Sequence, residues 1–463
     1  MDYYIISLMH AAICLASSLL IVHDIRIKGP RLITLATGSF ILISSFGLAY
    51  SHYVNYGAAL SFADDQGMVV YKRDVGLYLS QVTSHWIFLG ILSLGIVLTS
   101  GKHPTPARQF HLGSPALWRG ILLFYCVFAY SRYFLFGPGL ETLLETRLLY
   151  FSAEDAVMAR SLANTNLYGQ GAYLASVAAY IVFPILCASS VAKQLYVAPR
   201  VTRKHYITIL LFALLSFAYA YQTRQKAPLL QVMLIYAFIH FVIHYELQRR
   251  LRPMASSKRG IFRLIVLGLA FFGFAVALYV LIFNLSFTSA IYSTVVRLFM
   301  VPTATEANYF YVFPERFPYR GILESLVIRV FTPPGGSGIS IYDVAQAATG
   351  IGFSANASLL AIGWSGAGYL GVFFVSGILC SLLIICDRLI RFSPRIDRLF
   401  YLAISLPPLL VLNSGALLDY LGAGGVINVL ILALVLPKLR NSSAGQTANI
   451  SSPLMPAMTR GFH

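Results

Sequence analysis

Apolar residues along this chain gather into about eleven long stretches. They lie at roughly 3–22, 32–52, 79–99, 117–137, 172–192, 205–222, 228–246, 262–285, 366–386, 399–417 and 424–437, and the polar positions fall between them. About 20 consecutive apolar residues suffice to cross a bilayer as a helix. The pattern therefore predicts an all-α polytopic membrane protein with about 11 transmembrane helices. The last stretch is short for a crossing and is read as tilted into the bundle or extended by the residues before it. Residues 1–285 hold spans 1–8 with short loops, 286–365 form one large loop between spans 8 and 9, and 366–440 hold spans 9–11. Residues 441–463 form a Ser/Ala/Thr-rich tail, expected to be mobile.

A loop of some 80 residues is functional or disordered in most compact proteins. This one is rich in Phe, Tyr, Val and Ile, as in Glu306-Ala307-Asn308-Tyr309-Phe310-Tyr311-Val312-Phe313-Pro314, a composition that buries itself. Short amphipathic helices and turns folded over the outer mouth of the bundle are expected. Pro333-Pro334-Gly335-Gly336-Ser337-Gly338 divides them into two lobes.

Charge adds an orientation. When every second connection is assigned to the cytoplasm, starting with the one around Arg26, Lys28 and Arg31, that side holds about 23 of the 34 Lys and Arg residues. It holds only about 4 of the 17 acids. Excess Lys and Arg in short loops marks the cytoplasmic side. The N-terminus and the large loop then face outward, and the C-terminal tail faces the cytoplasm. The opening Met1-Asp2-Tyr3-Tyr4 has no basic leader, so the first stretch is read as a retained span.

Composition narrows the function classes. A mean hydropathy of +0.73 with 11% charged residues excludes a soluble domain. The net charge of +17 is spread over successive loops, which fits anionic lipid headgroups rather than nucleic acid. All five cysteines lie inside apolar stretches, which argues against a disulfide framework, and no His/Cys/carboxylate set has metal-ligand spacing.

The candidate chemistry lies on the outward side. Arginine there runs against the charge bias, and guanidinium binds phosphate in a bidentate fork. Arg224 sits between spans six and seven, Arg297 soon after span eight, and Arg316, Arg320 and Arg329 further along the large loop. Arg132 lies near the outer end of span four. Several such groups converging at the outer leaflet suit a lipid-linked pyrophosphate; the bland reading pairs each with a nearby acid or headgroup. Glu306, beside Asn308 and Tyr309, is the first candidate for a general base toward a sugar hydroxyl. His240 and His244 share one helix face and read as a packed pair. The small residues from Gly363 to Gly371 permit close approach of helices or ligand.

Three segments, in order, resemble the bacterial oligosaccharide repeat-unit polymerases, the O-antigen polymerase (Wzy) family. They are Tyr221-Gln222-Thr223-Arg224-Gln225-Lys226-Ala227-Pro228, then Arg297-Leu298-Phe299-Met300-Val301-Pro302 with Asn308 to Pro314, then Asn356-Ala357 with the glycine run. They cover roughly the C-terminal half. The resemblance implies a GT-C-like glycosyltransferase on the periplasmic face of the bacterial inner membrane. It would move a glycan from undecaprenyl pyrophosphate to the terminal sugar hydroxyl of another lipid-linked unit. No cofactor, metal or nucleic acid is implied, and a chain-length regulator is an implied partner. Arg224 and Arg297 inherit the pyrophosphate role; Arg316, Arg320, Arg329, Tyr309 and Asn356 are candidates for substrate binding. An O-antigen ligase is the near alternative, disfavoured because residues 286–365 contain no histidine. A flippase or other transporter is the distant one, disfavoured because the spans look nearly free of ionisable groups.

Overall fold

The computed structural model describes residues 2–29, 31–53, 75–99, 114–145, 171–197, 202–222, 226–251, 285–296, 301–322, 341–350, 358–391, 395–411 and 426–436. It also describes isolated positions between 269 and 280 and at 299, 339 and 393. Nearly all of these residues are helical, and no strand occurs among them. In chain order the helices used below are α1 (Asp2–Lys28), α2 (Leu32–Phe40), α3 (Phe46–Tyr53), α4 (Val75–Leu98), α5 (Pro115–Tyr130) and α6 (Gly139–Glu145). Then come α7 (Ala172–Val177), α8 (Phe183–Val197), α9 (Arg203–Gln222), α10 (Lys226–Leu251), α11 (Phe287–Val295) and α12 (Val301–Val312). The last four are α13 (Ile341–Thr349), α14 (Leu359–Arg391), α15 (Arg395–Val411) and α16 (Val426–Val435). Single π-helical turns, Ile41–Ser45 and Ala178–Val182, join α2 to α3 and α7 to α8, and a third, Ser131–Leu135, extends α5.

Among the described residues, six helical segments are long and apolar enough to cross a membrane: Tyr4–Lys28, Leu32–Ala49, Val75–Leu98, Ala172–Tyr196, Arg203–Gln222 and Leu359–Arg391. Their outer faces carry large exposed apolar side chains, such as Leu8, Leu15, Leu19, Leu94, Leu210 and Phe373. A surface this apolar is one that lipid, not water, covers. The chain is a helical multi-pass membrane protein. In α1 the buried positions Ile6, His10, Ser17, Ile21 and Asp24 form one stripe at helical spacing, so a single face meets the bundle.

Polar contacts between helices show which ends meet. Asp24 pairs with Arg31 at 2.6 Å and with Lys28 at 3.6 Å. Arg31 also donates to Thr99 Oγ1, just past the end of α4, at 2.7 Å. Helix α2 begins with an arginine at its cap, and Thr34 Oγ1 accepts from the Arg31 N–H but leaves those of Leu32 and Ile33 uncapped. Its exposed N–H groups are instead taken by Asp387 from near the end of α14, whose two carboxylate oxygens accept from Leu32 N at 2.6 Å and Ile33 N at 3.2 Å. A carboxylate at a helix N-terminus answers both the orphan donors and the dipole. Arg119 at the start of α5 donates to Ser189 of α8 and to the carbonyl of Val435 in α16, while Tyr196 donates to Asp397 at the start of α15. These contacts gather the basic helix ends at one end of the bundle.

At the opposite end Ser7 meets Tyr78 at 2.7 Å, and Tyr133 donates to Gln222 at 2.8 Å within a cluster of Tyr133, Tyr219, Ala172, Ala175 and Ala179. Helix α14 is broken there. Ala367 and Gly368 leave helical geometry, with Gly368 at φ 60°, and the short piece before the break lies against the long piece after it. A Cβ on Gly363 would come within 3.0 Å of the Gly371 carbonyl and the Val372 Cα, and a Cβ on Gly371 would collide with the Gly363 carbonyl. Only glycines allow that approach.

Candidate functional site

The segment 301–322 builds the site. Helix α12 starts with Pro302 in its first turn, where a missing N–H costs nothing, and stops at Val312 ahead of Phe313 and Pro314. The expectation was a set of amphipathic helices lying over the mouth. The structure instead buries α12 on nearly every side: Thr303, Thr305, Glu306, Ala307, Asn308, Tyr309, Phe310 and Val312 are all buried. The apolar composition of this stretch is a core composition, and it docks among α3, α4, α13 and α14.

Burial brings Glu306 into the bundle, where it is 1% exposed. Its Oε1 lies 2.9 Å from Nε2 of His85, itself fully buried in α4. Its Oε2 accepts from the Ser358 hydroxyl ahead of α14. On the far side, His85 Nδ1 lies 3.0 Å from Ser45 Oγ in the first π turn. The Ser45 carbonyl in turn accepts from His10 Nε2 of α1 at 3.2 Å, with Cys14 Sγ 3.8 Å from that nitrogen. Phe40 packs on the His85 ring at 5.0 Å between centroids. Five segments far apart in sequence thus meet in one buried polar row. Neither His10 nor His85 was singled out from sequence, where each looks like a lone polar residue in an apolar span. The available signal was a polar stripe at helical spacing: Tyr78, Gln81, Ser84 and His85 on α4, with His10, Cys14 and Ser17 on α1. Gln81 reinforces the docking by donating to the Thr303 carbonyl at 3.3 Å.

The two described arginines of the large loop lie beyond the C-terminal end of α12. Arg316 lies over the Tyr311 ring at 5.0 Å, donates to the Tyr311 hydroxyl at 2.9 Å and to the Ala347 carbonyl of α13, and remains exposed. Arg320 lies over the Phe313 ring at 5.3 Å. Its backbone N–H and that of Gly321 donate to the carbonyls of Ser365 and Gly366, both at 2.9 Å, next to the break in α14. Aromatic rings pack beside these arginines: Trp364 stacks on Phe310 at 4.5 Å and donates to the Phe313 carbonyl at 3.0 Å, with Tyr319 and Tyr369 edge-on to it. Burial and the neighbouring Tyr369 push the Tyr319 phenol up, so it stays a neutral donor. Tyr309 is 2% exposed and stacks on Phe313, which makes it part of the helix core.

Arg224, Arg297, Arg329 and Asn356 lie outside the described residues. Their described neighbours Gln222 and Val296 are buried. Arg132 donates to the Phe136 carbonyl at 3.1 Å within its own turn. His240 and His244 pack together at 4.5 Å, and His244 meets Tyr206 at 3.2 Å near the basic end. Among the described residues no group of three or more His, Cys, Asp or Glu side chains is placed to hold a metal ion. Comparison with family models, curated proteins and solved structures gave no match.

Proposed function

We propose that this protein is a membrane glycosyltransferase that joins lipid-pyrophosphate-linked oligosaccharide units on the outer face of a bacterial inner membrane. The observation that carries the reading is segment 301–322. It supplies a carboxylate held inside the bundle and, about ten residues on, guanidinium groups at the mouth. Glycosyl transfer to a sugar hydroxyl needs both: a base for the hydroxyl proton and a cationic site for the departing diphosphate. In this reading the acceptor oxygen attacks the anomeric carbon as its proton passes to Glu306. The bond from that carbon to the pyrophosphate oxygen breaks, and the anion leaves toward the arginines. The meeting of basic helix ends at the end of the bundle opposite this site supports an outward placement. The eleven-span topology, with its N-terminus outside and C-terminus inside, belongs to the same proposal.

The test is Arg297→Ala and Arg224→Ala in cells that depend on this protein for surface polysaccharide. Each variant should insert normally and lose long-chain polymer, a loss on the order of 10²–10³ in rate if a preorganised donor to the leaving group is removed. Lysine at either position should restore only part of the activity, because the bidentate fork is gone. Unchanged polymer ladders in both alanine variants reject the clamp. A second reading has one observation in its favour: the buried His10, His85 and Glu306 place ionisable groups inside the bundle, as proton-coupled transporters do. Lipid-linked units accumulating unpolymerised on the outer leaflet of a deletion strain favour the transferase, and accumulation on the inner leaflet favours transport.

A further inference from the structure

We propose that His85 is the positioning residue for Glu306, an imidazolium anchored by Ser45 that keeps this carboxylate ionised within the apolar bundle. The inference rests on the reading of Glu306 as the base. Hydrogen-bond directions carry it. Ser358 Oγ lies 3.4 Å from the Ala361 N–H, from which it accepts, so its own proton goes to Glu306 Oε2. Glu306 Oε1 faces His85 Nε2 at 2.9 Å. With His85 as donor to Oε1, both oxygens act as acceptors, which suits the ionised form. A carboxylate 1% exposed cannot stay charged without a cation at hand. Among the described residues, the basic group within 4.0 Å of it is His85.

The remaining contacts fit an imidazolium. Ser45 Oγ lies 3.0 Å from Nδ1, where it can accept the second ring proton. Other titratable groups facing the pair come from α1: His10, whose Nε2 is committed to the Ser45 carbonyl, and the thiol of Cys14. His10 Nδ1 is buried without a partner, an arrangement that a neutral ring tolerates and a charged one does not. The positive charge of the row thus belongs on His85. Ser45 can serve both histidines because the π turn at Ile41–Ser45 sets its hydroxyl and its carbonyl toward two different helices.

The test uses the full-length protein in lipid nanodiscs. Infrared spectra report the protonated-carboxyl stretch, and subtraction of the Glu306→Gln spectrum isolates the contribution of Glu306. Wild type at pH 7 should show no such band, whereas His85→Gln should show it, because a neutral amide replaces the cation. Ser45→Ala should give an intermediate band and provides the check if His85→Gln fails to fold. In membranes carrying out elongation, the acid limb of the rate profile should move to higher pH in His85→Gln, because a neutral amide no longer favours the charged carboxylate. A wild-type protein whose Glu306 is already protonated at pH 7 overturns the proposal. So does a His85→Gln variant with unchanged band and unchanged profile. If the band appears as expected in a protein that elongates no glycan, the pairing stands and the transferase reading falls.

Discussion

Asp387 ties the first third of the chain to the last. Its carboxylate spans the start of α2 with two hydrogen bonds, at 2.6 and 3.2 Å, to backbone N–H groups more than 350 residues away in sequence, and it is 6% exposed. Hydrogen bonds to a charged group contribute about 1.5–3 kcal/mol each. Asp387→Ala removes both and leaves two N–H groups bare, a loss of roughly 3–6 kcal/mol before the relief of burying one charge fewer. Asp387→Asn keeps one acceptor oxygen but turns an NH2 group toward the other N–H, so at least half of that loss remains. The measurement is the SDS-unfolding midpoint of purified protein in mixed micelles, with wild type above Asn and Asn above Ala. The local cap of α2, formed by Thr34 with the Arg31 backbone, is present in all three proteins and sets no difference between them. Midpoints within about 0.5 kcal/mol of wild type in both variants would refute trans-capping and leave Asp387 as a bystander.

Two further substitutions probe the opposite end. Gly371→Ala should destabilise by roughly 1–3 kcal/mol, because its methyl group meets the Gly363 carbonyl, a backbone atom that cannot swing aside; an unaltered midpoint would show that the broken helix adapts freely. Tyr133→Phe removes the 2.8 Å bond to Gln222 inside a buried aromatic cluster and should cost about 1–3 kcal/mol, read the same way. No loss in that variant would mean that water or another donor satisfies Gln222.

Periodicity and charge carry much of the architecture. The alternation of basic and acidic connections puts Lys28, Arg31, Thr99, Arg119, Asp387 and Asp397 on one side, and these are residues whose contacts gather at one end of the bundle. Six segments satisfy the length and hydropathy of a crossing among the described residues, where about eleven are expected over the whole chain. The glycine run was legible as a place of close approach, and Gly363 against Gly371 is one. What the sequence hid is depth. Glu306 is an acid in the long connection between spans, so it reads as a solvated or arginine-paired carboxylate although the residues after it are apolar. Its partner is a histidine 221 positions earlier, in a different span. No local rule connects the two, because the contact is made by docking a helix whose four sides are all apolar enough to be buried. Arg316 shows the reverse case. Its charge suggested a ligand, yet a tyrosine hydroxyl and a main-chain carbonyl already occupy part of its fork.

Beside the break at Ala367–Gly368, the carbonyls of Ser365 and Gly366 accept from the N–H groups of Arg320 and Gly321. The segment after α12 is therefore stitched to α14 through its own backbone, at the residue that carries a guanidinium. Main chain is thus joined to main chain across the break, so the register of residues 320–321 and the path of α14 beside Gly368 are set together.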